Sequence, residues 1–177
     1  NMTFVSLLWF MPIYFDDELG MSFQARGFHV ALFTLVGMFS TPVLGYLSDR
    51  VGRKQVLVPA LVILCVLTLL LVPFGQGATL TVLVAFLSFF LYSDQPVLTA
   101  AALDLVGHRV ANTTLGVLAL TRLVPSATAP VVAGWLYQDI GIHALFYFVA
   151  ALFALSAVVM ALVPLTRSSS RTIDEDV

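Results

Sequence analysis

Residues 45–54 read GYLSDRVGRK and hold four charged side chains, Asp49, Arg50, Arg53 and Lys54, within six positions. The chain around them is 177 residues long, 60% hydrophobic and only 10% charged, against about 25% charged in an average soluble domain. Its mean hydropathy is +1.01. In water such a chain would expose large apolar patches and aggregate, so the composition points to an integral membrane protein, with the lipid bilayer as its first partner. The formal net charge of −2 gives no nucleic-acid signal. The charged stretch therefore reads as a connector between membrane segments.

Working outward from it, an apolar segment at about 22–47 precedes the stretch and another at about 55–74 follows. Three more lie at about 78–106, 113–137 and 142–163. Each is near or above the ~20 residues that a helix needs to cross a bilayer. Unbroken apolar runs of this length do not alternate as barrel strands do, and in lipid the backbone must be bonded internally, which leaves helices. An opening apolar run at 3–15 is too short to span and lacks the basic flank of a signal peptide. It is expected to be the second half of a helix that starts outside this sequence. The expected fold is an all-α membrane protein: an antiparallel bundle of five full transmembrane helices plus one N-terminally truncated helix over 1–166, then a polar, disordered tail over 167–177.

Lys and Arg set the expected orientation. Arg50, Arg53, Lys54, Arg109, Arg167 and Arg171, six of the eight basic residues, fall on one side. Asp16, Asp17, Glu18 and Asp139 fall on the other, with Arg26 at a helix edge. The basic side, tail included, is expected in the cytoplasm of a multi-pass protein of the cell membrane. Cys65 stands alone in an apolar run, and His29, His108 and His143 are scattered, so no disulfide, metal site or cofactor is expected. Small residues recur every fourth position at Gly37, Thr41 and Gly45 and again at Ser126, Pro130 and Gly134, a spacing that lets helices approach closely in lipid.

Each position of the stretch has a physical task. Gly45 is expected to end a helix and admit a neighbour against its backbone. Asp49 either faces the positive end of a neighbouring helix or pairs with Arg. Gly52 permits a tight turn of positive φ, and Arg53 and Lys54 anchor the cytoplasmic interface. The pattern formed by Gly45, Asp49, Arg50, Gly52, Arg53 and Lys54 resembles the signature loop of the major facilitator superfamily, found between the second and third helices of each six-helix half. The segment PVVAGWLYQDIG and the Ala- and Phe-rich run after it look like the last two helices of such a transporter. Asp94-Gln95-Pro96, and Ala129-Pro130 with a single Gly134, stand where the family's N-terminal half carries other motifs, so the resemblance implies the C-terminal half. It also implies that the loop braces one half against the other, with Asp49 on a helix end of an N-terminal half missing from this sequence.

Two charges lie deep in the expected helices. Asp94 is about twelve residues, roughly 18 Å, from the cytoplasmic end of its helix, and Arg122 about ten residues, roughly 15 Å, into the next. A midplane charge costs at least ~2.5–3.5 kcal/mol, and such residues usually mark pathways, proton relays or counter-ions. Asp94 is a proton acceptor, a binder of a cationic group or a structural partner; Arg122 binds an anionic group or neutralises Asp94. Ser88, Tyr92, Gln95 and Thr99 form a polar stripe suited to an aqueous cavity, about 120° from Asp94 on an ideal helix, and Pro96 is expected to kink the helix there. The resemblance agrees with the stripe, since the family's tenth helix lines its central cavity.

The sequence holds no nucleophile–base pair, metal cluster or paired midplane acids, so an enzyme is not expected. The expected function is part of a secondary transporter that moves a small molecule by alternating access, with Asp94 as a candidate for proton coupling. The alternative is a non-transporting membrane scaffold or degenerate half-transporter.

Overall fold

The computed structural model describes residues 2–106 and 111–162; His108, Arg109 and the tail with Arg167 and Arg171 lie outside them. The described residues form six helices: α1 Met2–Asp17, α2 Phe23–Val51, α3 Arg53–Phe74, α4 Gly77–Val106, α5 Ala111–Asp139 and α6 Ile142–Leu162. Five of them, α2 to α6, are long and apolar enough to cross a membrane. Among the described residues there is no strand, as expected of an all-α membrane protein.

The boundary between α2 and α3 departs from the expectation. The charged stretch is not a connector. Helix α2 continues through Gly45 and Asp49 to Val51, and α3 starts at Arg53, so the break is Gly52 alone. A helix does not stop where polarity begins, because Arg has a helix propensity close to that of Leu. It stops where the backbone leaves the helical region. The Gly52 N–H closes the last turn on the Ser48 carbonyl at 3.0 Å, and its φ of 120° and ψ of 139° then redirect the chain. At the other end of α2, Ser22 caps the helix by accepting from the Ala25 N–H at 3.3 Å.

The small-residue rows also differ from expectation. A Cβ at Gly37 would lie 2.2 Å from Cδ2 of Tyr92, so Gly37 is where α2 closes on α4. Gly45 neither ends the helix nor meets another: no described atom lies within 4 Å of a Cβ placed there. On α5 the packed positions are Ala129 and Ala133, both fully buried. Pro130 is exposed, and a Cβ at Gly134 would first meet Phe10 at 3.9 Å. Helix α5 leans on α1, and Phe10 of α1 is the described side chain nearest to Gly134.

Helix α2 packs chiefly on α4, α3 on α6 and α1 on α5, with α3 against α4 tying the pairs together. The core is built mainly by α1, α3, α4 and α6, through residues such as Phe10, Phe15, Leu64, Leu87, Phe146 and Phe153. Tyr14 sits edge-on to Phe146, ring centres 5.0 Å apart, and donates to the Leu71 carbonyl at 3.3 Å. Helix α5 is the least buried span, and its outward Leu123, Val131 and Trp135 are exposed. In lipid such an apolar surface carries no hydrophobic penalty.

The two ends of the bundle differ in chemistry. At one end Lys54 donates to the Ala161 carbonyl at 2.6 Å, placing a cation on the terminal turn of α6, where orphan carbonyls and the negative end of the helix dipole lie. At the other, Arg26 pairs with Asp16 at 2.5 Å, and the Tyr137 hydroxyl donates to Asp17. His29 joins α2 to α4 there, with one ring nitrogen 2.8 Å from the Ala25 carbonyl and the other 3.0 Å from the Thr81 hydroxyl.

Candidate functional site

Arg122 and Asp94 line the same cavity, and α4 and α5 each carry a proline close by. Pro96 lies inside α4 and Pro125 inside α5. Pro96 has no N–H to offer the Tyr92 carbonyl. One turn on, the Thr99 hydroxyl donates back to the Gln95 carbonyl at 2.8 Å. Arg122 Nη2 reaches across from α5 and donates to Thr99 Oγ1 at 2.5 Å, with a longer contact of 3.4 Å to the Gln95 carbonyl. The directions agree: the threonine proton goes to its own helix, and its lone pair accepts from arginine. The guanidinium is thus positioned by α4.

Around this pair lies a cavity of about 300 Å³ between α1, α4, α5 and α6. Its polar lining is Thr3, Asp94, Gln95, Thr121, Arg122 and Ser156; Leu98, Leu118 and Leu152 contribute apolar wall. Asp94 and Arg122 share the cavity without pairing: the ion pairs among the described residues are Arg26–Asp16 and Arg53–Asp49. No hydrogen bond from a described residue satisfies the Asp94 carboxylate. A larger groove between α1 and α2, lined by Pro12, Val30 and Leu35 among others, is almost wholly apolar, with the Asp16-paired Arg26 on its wall.

The stripe expected on α4 divides. Gln95 lines the cavity and Thr99 braces Arg122. Ser88 does not reach the cavity: it is fully buried and donates to the Ala85 carbonyl at 3.0 Å. A serine satisfied by its own helix needs no water. Tyr92 packs instead against Phe4 at 5.1 Å and Phe33 at 5.6 Å. Thr3, Thr121 and Ser156 escaped the sequence reading. Ser156 carried a signal, being the one Ser, Thr, Asn, Gln or charged residue between Ala144 and Leu162.

Away from the cavity, the residues of the charged stretch gather at the α2–α3 junction. Asp49 pairs with Arg53 at 2.5 Å yet keeps 59% of its side chain exposed. Arg53 also donates to Ser48 Oγ at 3.0 Å, and Arg50 lies 4.6 Å over the Tyr46 ring. Of the two roles open to Asp49, the arginine pair is the one formed within this chain.

No curated protein and no solved structure matches the chain significantly. The model of the Major Facilitator Superfamily matches residues 1–176. That match covers every helix described above, and the chain belongs to the major facilitator superfamily, a family of membrane transporters.

Proposed function

We propose that this chain forms the C-terminal half of a secondary transporter, whose second half supplies the opposite wall of the cavity, and that the whole moves a small solute by alternating access. The observation that carries this reading is the Asp94 carboxylate. It stands far from either end of a membrane-spanning helix, lines the cavity beside Arg122, and makes no hydrogen bond or direct ion pair among the described residues. Such a charge is retained against its insertion cost where it serves a pathway. We assign the coupling proton to it, and place the basic end of the bundle, with Arg50, Arg53 and Lys54, in the cytoplasm by the positive-inside rule.

The test of alternation needs no known substrate. In the protein expressed from its complete reading frame, with Cys65 replaced by Ser, Thr121→Cys places a thiol in the cavity wall. Alternating access predicts labelling by a membrane-impermeant maleimide from outside in right-side-out vesicles and from inside in inverted ones. Labelling from one side only would reject the alternating mechanism. For coupling, Asp94→Asn is expected to abolish solute-dependent proton movement while leaving the amount of protein in the membrane unchanged. Undiminished proton movement would remove Asp94 from the mechanism.

A further inference from the structure

We propose that the cavity takes a small aliphatic zwitterion of the amino-acid type, its ammonium on Asp94 and its carboxylate on Arg122. This rests on the transporter reading above and names the substrate class of the same site. Two opposite charges line one cavity, close enough to feel each other but without direct ion-pair contact. Within a bilayer that arrangement is costly unless something else pairs them.

The geometry of Arg122 says what its partner is. Both of its contacts to α4 use Nη2. Nη1 and Nε have no hydrogen-bond partner among the described residues, so the guanidinium keeps N–H donors for another group. A guanidinium with donors to spare is complemented by an anionic acceptor such as a carboxylate. Asp94, ionised, offers only acceptors, so its complement is a protonated amine. A solute with one charge would leave the other side chain unpaired, and a zwitterion satisfies both. Within this chain the cavity measures about 300 Å³, its opposite wall being left to the second half. Leu98, Leu118 and Leu152 in its wall suit an aliphatic body. If the same carboxylate alternately holds the ammonium and the coupling proton, solute and proton exchange across the membrane.

The thiol at position 121 provides the measurement. L-Leucine, 3-methylbutylamine (leucine without its carboxylate) and 4-methylpentanoate (leucine without its amine) are compared as protectants against maleimide labelling, with Leu118→Cys as a second reporter. Leucine is expected to protect at a concentration lower by about tenfold or more than either analogue, because a site built for a charged group penalises a ligand that lacks it. Asp94→Asn should reduce leucine to the level of 4-methylpentanoate, and Arg122→Gln to that of the amine. Arg122→Lys, which keeps the charge and loses the guanidinium, should fall between. If the Arg122 variants fail to fold, the three ligands on the otherwise unaltered site still decide. Equal protection by the amine and leucine overturns the proposal in favour of a cation site. No protection by any of the three, with labelling still seen from both sides, overturns the zwitterion and leaves the transporter standing. Labelling from one side only defeats the transporter reading itself.

Discussion

Gly37 and Tyr92 mark a close approach of α2 and α4. The ring of Tyr92 sits where a side chain on Gly37 would have to go, and Phe4 and Phe33 hold that ring from two other sides. Gly37→Ala therefore cannot be absorbed by a simple rotation of the tyrosine. Overpacking of this kind costs about 1–3 kcal/mol, and the substitution is expected to lower the thermal midpoint of the detergent-solubilised protein. Tyr92→Leu in the same chain should recover much of the loss, a coupling that a double-mutant cycle measures. An unchanged midpoint for Gly37→Ala would mean that α2 and α4 have slack at this point. The four-residue spacing made the row of small residues legible, but not which member makes the contact, because that is set by the size of the facing side chain on another helix. The same holds for the cavity. Asp94 and Arg122 were visible as charges in apolar segments, whereas the bracing of Arg122 by Thr99 depends on the relative rotation of α4 and α5, which no single segment encodes.

At the scale of the element, the α2–α3 junction shows how a helix end is chosen. Hydropathy falls after Leu47, yet the helix persists to Val51 and breaks where glycine allows a backbone that other residues resist. Holding a non-glycine residue in such a region costs about 1–3 kcal/mol. Gly52→Ala is thus expected to destabilise the junction by that amount, read as a drop in thermal midpoint and as easier proteolysis between α2 and α3. Asp49→Asn should cost less, about 0.2–1 kcal/mol, because the Asp49–Arg53 pair is more than half exposed on the acid's side and solvent screens it. The reverse ranking would show that charge, and not backbone conformation, holds the turn. Number and type of helices were readable because five of the segments are long, apolar and unbroken. Ends were less so, since a cap or a φ angle leaves little trace in hydropathy.

For the whole molecule, the charged stretch contains a glycine against whose open side no described residue packs. Gly45 lies in the body of α2 with open space where a side chain would project. Beside it Tyr46 and Val43 are also exposed, so this part of α2 turns a smooth apolar surface outward. Glycine in a helix interior is destabilising by roughly 0.5–1 kcal/mol relative to alanine. If no other element ever approached, a better helix former would improve the fold. Gly45→Leu is therefore expected to leave the thermal midpoint of the isolated chain unchanged or slightly raised, in contrast to Gly37→Ala. If, as proposed, a second half closes against this face, the same leucine should obstruct its helix there. A penalty of about 1–3 kcal/mol on one state shifts the balance between the two access states by roughly 5- to 150-fold. The readout is the ratio of outside to inside labelling at Thr121→Cys: Gly45→Leu should move it toward the state open at the basic end, with total labelling preserved. A ratio unchanged by leucine would mean that no helix meets Gly45 in either state, and that the motif's first glycine serves neither this chain's packing nor its gating.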